Sequence, residues 1–137
     1  MEIPTVRGAG DMASARILAV DDSATILEMI KAILASAGYE VITASDGAEA
    51  LATARAEQPD LILLDVMLPK FDGYRVCRLL KFDQKYKSIP IIMLTAKTEE
   101  QAMATGIRTG ADQYLTKPIE PERLLSAVAE ELAKVRD

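Results

Sequence analysis

From Arg16 onward, apolar positions alternate between two patterns. Short, nearly unbroken apolar runs of strand length occur at Ile17-Leu18-Ala19-Val20, Val41-Ile42-Thr43, Leu61-Ile62-Leu63-Leu64, Ile91-Ile92-Met93-Leu94 and Tyr114-Leu115. Segments with helical spacing separate them. Ile26, Ile30, Ile33, Leu34 and Ala37 predict a helix from about Ala24, stopped by Gly38. Asp46 with Glu49 predicts the start of an alanine-rich helix to about Ala56. A third helix is expected over Gly73–Lys85, with Cys77, Leu80 and Lys81 along its middle. Thr98 with Gln101 opens a fourth, closed by Gly110, and a final helix begins near Pro121 with Leu124, Leu125, Val128 and Leu132 on its face.

Strands alternating with helices need crossover connections, so the sheet is parallel and covered on both faces, which explains why its strands read as continuous apolar runs. The expectation is one α/β domain, a doubly wound five-stranded parallel sheet, over residues 16–137. Met1–Ala15 has Pro4, Gly8 and Gly10 and no period, and reads as a flexible leader.

Composition narrows the chemistry. The 137 residues include 16 basic and 21 acidic ones, and a net charge of −5 argues against nucleic acid or an anionic membrane as direct partner. No histidine and one cysteine exclude an intrachain disulfide and His-dependent nucleophile triads, and disfavour zinc. With no apolar run long enough to span a bilayer and no signal-peptide pattern, the expected location is cytoplasmic. Cys77 reads as a core thiol.

In open parallel sheets ligands bind at the carboxyl ends of the strands. Five chemically able residues fall there: Asp21 and Asp22 after the first run, Asp65 after the third, Thr95 after the fourth and Lys117 just past the fifth. Each alone has a bland reading as cap, turn or surface residue; together they form one rim. Three anions so close call for a cation, and an oxygen-only set with open positions suits Mg²⁺. Lys117 and Thr95 could hold phosphoryl oxygens.

The segments Val20-Asp21-Asp22-Ser23, Leu64-Asp65-Val66-Met67-Leu68-Pro69, Asp72-Gly73, Leu94-Thr95-Ala96 and Gly110 through Pro118 resemble the receiver domains of bacterial two-component response regulators, a likeness running from about Arg16 to Val135. The resemblance implies a flavodoxin-like sheet in the order 2-1-3-4-5. It also implies Asp65 as phosphoacceptor from a partner phosphohistidine. Asp21, Asp22, Asp65 and the Met67 backbone carbonyl would hold Mg²⁺, with Mn²⁺ as the alternative ion. Thr95, the Ala96 backbone and Lys117 would bind the phosphoryl group, Thr95 and Tyr114 would be the switch pair, and the Lys117–Pro118 peptide would be cis. Tyr114 could instead be a half-buried aromatic of an edge strand. Implied partners are a sensor histidine kinase or histidine phosphotransfer protein, then a downstream target or output domain read through the helix from Glu99, the strand at Tyr114 and the final helix. A phosphorylation-dependent dimer is a further implied form.

Such a domain promotes its own phosphorylation without being a multiple-turnover enzyme on an external substrate. An aspartyl-phosphate phosphatase would need an acid two residues after the nucleophile, where Met67 stands. An apolar Met67 is expected to shield the site and slow hydrolysis, and the small Ala96 to leave it open. A flavin or nucleotide binder would need a Gly- or Ser/Thr-rich loop where Asp21-Asp22-Ser23 lies. A receiver-shaped docking module independent of phosphate is the remaining alternative.

Overall fold

A computed structural model describes residues 15–70, 72–96 and 110–136. In chain order these form β1 (Arg16–Val20), α1 (Ala24–Ser36), β2 (Glu40–Ala44), α2 (Gly47–Glu57), β3 (Leu61–Asp65), α3 (Gly73–Lys81), β4 (Ile91–Thr95), β5 (Gln113–Thr116) and α4 (Pro121–Arg136). All strand pairs are parallel and the order is β2-β1-β3-β4-β5, as expected. The helix expected between Thr98 and Gly110 and most of the N-terminal leader lie outside the described residues.

Successive strand side chains feed two cores. Leu18, Val20, Ile62, Leu64, Ile91 and Met93 point to the α2–α3 side, while Ile17, Ala19, Leu61, Leu63, Ile92 and Leu94 point to the α1–α4 side. Every residue of β3 and β4 is buried, and each large side chain so hidden contributes roughly 1.5–3 kcal/mol.

Polar residues fix where the helices begin. Ser23 Oγ accepts from the Ile26 N–H at 3.2 Å, Asp46 Oδ1 from Glu49 at 2.7 Å and Asp72 Oδ1 from Arg75 at 2.9 Å. Two boundaries differ from expectation. Helix α3 stops at Lys81 rather than Lys85, because Asp83 captures the following backbone: its Oδ1 accepts from the Lys85 N–H and its carbonyl from Tyr86 and Lys87. Ala15, assigned to the leader by pattern, is buried and its carbonyl accepts from the Glu40 N–H, so the pairing of β1 with β2 begins one residue earlier. Among the described residues no helix is long and apolar enough to cross a membrane.

Candidate functional site

Strand register assembles the site. Val20 lies beside Leu64, so the next residues, Asp21 and Asp65, leave adjacent strands side by side. Asp65 pairs with Leu94 and Thr95 with Thr116, and the Lys117 N–H donates to the Thr95 carbonyl at 2.8 Å. Four strand ends therefore deliver their side chains to one rim. The peptide bond between Lys117 and Pro118 is cis.

Carboxylate oxygens of Asp21, Asp22 and Asp65 lie within 4.8 Å of one another. Asp21 and Asp65 are buried while Asp22 faces solvent. The Lys117 ammonium bridges the buried pair, at 3.1 Å from Asp21 Oδ2 and 3.1 Å from Asp65 Oδ1. Asp21 spends its other oxygen on the Ser23 N–H at 2.9 Å. Burial pushes the Asp65 carboxyl above the ordinary carboxylate value and the Asp21 charge adds to this, while hydrogen bonds from Lys117 and the Met67 backbone oppose it without prevailing. For Lys117, burial favours the neutral amine, yet hydrogen bonds and charge from Asp65 and Asp21 outweigh it and hold the ammonium above its ordinary value.

Three carboxylates against one ammonium leave the rim short of positive charge. The donor set is all oxygen, and the buried Asp65 carboxyl resists ionisation in these surroundings. Hard, oxygen-preferring Mg²⁺ fits this set. The loop after β3 is held over the site by the Gly47 N–H, which donates to the Pro69 carbonyl at 3.3 Å. Asp22, Val66, Met67, Leu68, Pro69 and Asp72 line a cleft there, with the Met67 side chain 76% exposed. Ala96 is exposed at the end of β4 and Cys77 is fully buried in the core.

Thr95 is buried, and Tyr114 is half-buried against the α2–α3 core. Sequence reasoning passed over Tyr74, which packs on that same core. Burial raises its phenol above the ordinary value, the neighbouring Tyr114 adds to this, a hydrogen bond from the Thr95 side chain opposes it, and Asp72 raises it further. Its signal was available: a tyrosine directly after Asp72-Gly73, in the first turn of a helix abutting the rim.

Residues 17–129 match the family model of the response regulator receiver domain. The chain is 50% identical over 113 residues to the alkaline phosphatase synthesis transcriptional regulatory protein PhoP of Bacillus subtilis, a match covering 82% of this chain and 46% of that protein. It spans about half the length of the curated relatives it matches. Chemotaxis response regulator CheY4 of Vibrio cholerae superposes with a TM-score of 0.80 at 41% identity, covering 86% of this chain and 98% of the other. The receiver domain of a Pseudomonas aeruginosa sensor histidine kinase, solved with magnesium in its active-site cleft, gives 0.80 at 31% identity, covering 88% and 98%.

Proposed function

Since the chain belongs to the response regulator receiver family, we propose that it is a phosphorylation-dependent signalling switch with Asp65 as phosphoacceptor. The observation that carries this reading is the rim itself: three carboxylates within 4.8 Å, two of them bridged by Lys117 at 3.1 Å. An Asp65 carboxylate oxygen attacks phosphorus on a partner's phosphohistidine. The P–N bond breaks, its electron pair leaves with the imidazole, and an acyl phosphate forms on Asp65. Lys117, already hydrogen-bonded to the attacking carboxylate, passes to a phosphoryl oxygen as charge moves outward. The Thr95 hydroxyl and the Ala96 N–H donate to the others, and Tyr114 turns with Thr95.

Asp21, Asp22, Asp65 and the Met67 carbonyl would hold Mg²⁺, which supplies charge neutralisation at the phosphoryl oxygens when bound. The buried Asp65 gains from that neutralisation, since its own surroundings disfavour the anion. The exposed Met67 lies at the mouth of the cleft, where it would slow the approach of water. With no histidine of its own, the chain takes the phosphoryl group from another molecule, a sensor kinase or phosphotransfer protein. Turnover on an external substrate is not part of this reading. Output passes to a downstream protein or a further domain, by contact; for the Bacillus relative the name specifies transcriptional regulation. The site of action is the cytoplasm.

Intact mass after incubation with acetyl phosphate and Mg²⁺ tests this directly. One phosphoryl adduct is expected, absent in Asp65→Ala and absent with chelator. A folded wild-type protein that gains no adduct from any donor contradicts the reading and favours the phosphate-independent docking module.

A further inference from the structure

Charge is unevenly spread along the chain. Residues 70–87 hold six of its sixteen basic residues and two of its twenty-one acidic ones, although the whole chain carries −5. Both acids are engaged locally: Asp72 caps α3 through the Arg75 N–H at 2.9 Å, and Asp83 Oδ1 accepts from the Lys85 N–H at 2.8 Å. Lys81 is closed by Asp112 at 3.0 Å. Arginines on the outer side of α3 carry much of the excess that remains.

Helix α3 buries Gly73, Val76, Cys77 and Leu80 and turns Arg75, Arg78, Leu79 and Phe82 outward. Spacings of three and four residues put those four side chains on one stripe. Phe82, the C-cap residue, is 76% exposed and Leu79 is 41% exposed. Neighbouring α2 packs against α3 through the small, buried Ala50 and Ala54, which leaves space between the outer faces of the two helices. Arg55, in the last turn of α2, faces that space. Arg55, Arg75, Arg78, Leu79, Phe82 and Asp83 line an open cleft of about 450 Å³ there. Among the described residues Arg55 and Arg78 meet no carboxylate.

A basic residue in the last turn of a helix offsets the partial negative charge at its end, which accounts for Arg55 and Arg78 taken singly. It does not account for two helices bringing them to one cleft whose wall also holds two exposed apolar side chains. Arginine and aromatic residues together are what protein interfaces collect, and a guanidinium fork matches a carboxylate with two parallel hydrogen bonds. A continuous polyanion fits poorly. Outside residues 70–87 the chain is more strongly negative than the whole, and repels phosphates that extend past the cleft.

We propose that the α2–α3 cleft is a docking surface for an acidic peptide segment of a partner protein, one with an apolar side chain among its carboxylates. The apolar side chain lies against Leu79 and Phe82, and the carboxylates pair with Arg55 and Arg78. Apart from Arg75, the lining residues lie toward the C-terminal ends of α2 and α3, at the amino ends of the strands. Docking there does not rest on phosphorylation of Asp65.

The experiment titrates the fluorescein-labelled peptide EDEFLEDE into the full, isotope-labelled chain, followed by anisotropy and by amide chemical shifts. Saturable binding is expected, with the largest shifts at Arg55, Arg78, Leu79 and Phe82, and it should weaken as salt rises. Arg55→Glu and Arg78→Glu should each weaken it by roughly five- to tenfold, a lost pair followed by a like-charge contact. Phe82→Ser should weaken it several-fold at unchanged charge. Arg123→Glu, on α4 and outside the cleft, makes the same charge change and should stay within about twofold of wild type. All four side chains are exposed, so these substitutions leave the core intact. Asp65→Ala should bind as wild type does, so that failure of docking and failure of phosphoryl uptake are seen separately.

No saturable shifts at millimolar peptide overturn the proposal. Equal losses in Arg78→Glu and Arg123→Glu also overturn it, because the attraction would then be general rather than local. Unchanged affinity in Phe82→Ser does the same, since the cleft would then hold charge alone. Tighter binding of a single-stranded DNA oligonucleotide or of phosphatidylglycerol vesicles, lost in Arg78→Glu, would give the cleft to a different class of partner and end the peptide reading.

Discussion

At the amino ends of the strands, Lys81 meets Asp112 at 3.0 Å and donates to the Ile89 carbonyl, and Asp112 in turn accepts from the Ile91 N–H at 2.8 Å. Arg16 pairs with Glu57, and its N–H donates to Asp60 at 2.7 Å. Buried Glu131 takes Gln113 at 2.7 Å and Lys134 at 3.2 Å. Each of these carboxylates is met by a cation, a side-chain amide or a backbone N–H. At the carboxyl ends of the same strands, three carboxylates gather around one ammonium, Lys117, which bridges only two of them, and burial presses on Asp65. Charge at the amino ends is closed by its partners, whereas charge at the carboxyl ends, where the proposed site lies, is left short of one.

The sharpest way to break this contrast is to move the element that frames the open end. Gly73→Ala forces a Cβ against the Asp65 carbonyl, backbone that cannot swing aside. It should cost about 3 kcal/mol in denaturant melts, the upper range for overpacking, and lower phosphoryl uptake at Asp65 with it. Removing the lysine at either end comes next. Lys81→Met and Lys117→Met should each cost roughly 2 kcal/mol, because each leaves carboxylates without their cation. Mg²⁺ should recover the loss in Lys117→Met, whereas Lys81→Met should gain no more than wild type gains and keep its deficit; recovery of both losses would erase the distinction between the ends. The smallest effect is the pH dependence of Lys117. Its raised value means that its contribution is complete below the ordinary lysine value of 10.5 and lost as pH rises through the folded-state value. Partial exposure keeps this under about 1 kcal/mol, visible as a slight drop in melting temperature in the alkaline range.

The contrast also marks what could be read from the chain. Apolar runs at Leu61–Leu64 and Ile91–Leu94 reveal strands because burial on two faces leaves no polar position among them. Once the strands are known, their carboxyl ends select Asp21, Asp65, Thr95 and Lys117 without further information. Periodicity is silent about polar ties between distant elements. Nothing in the pattern joins Lys81 to Asp112, or Gln113 to Glu131 on a helix whose acids look solvated. The end of α3 was misjudged for the same reason, since Asp83 acts through a side-chain hydrogen bond that hydropathy does not register. Tyr74 reads as an ordinary core aromatic.

The central claim is that the carboxyl end is unfinished without a cation, and the melting temperature of wild type and Asp65→Asn, with and without Mg²⁺, tests it most directly. Asp65 titrates above its unfolded value, so its anion costs stability above the folded-state value, and the cost is relieved as pH falls through it. At neutral pH without metal, Asp65→Asn should therefore melt about 3–6 °C above wild type, and Mg²⁺ should raise wild type while leaving Asp65→Asn nearly unmoved. An Asp65→Asn protein that melts lower, or equal stabilisation of both by Mg²⁺, would contradict the account.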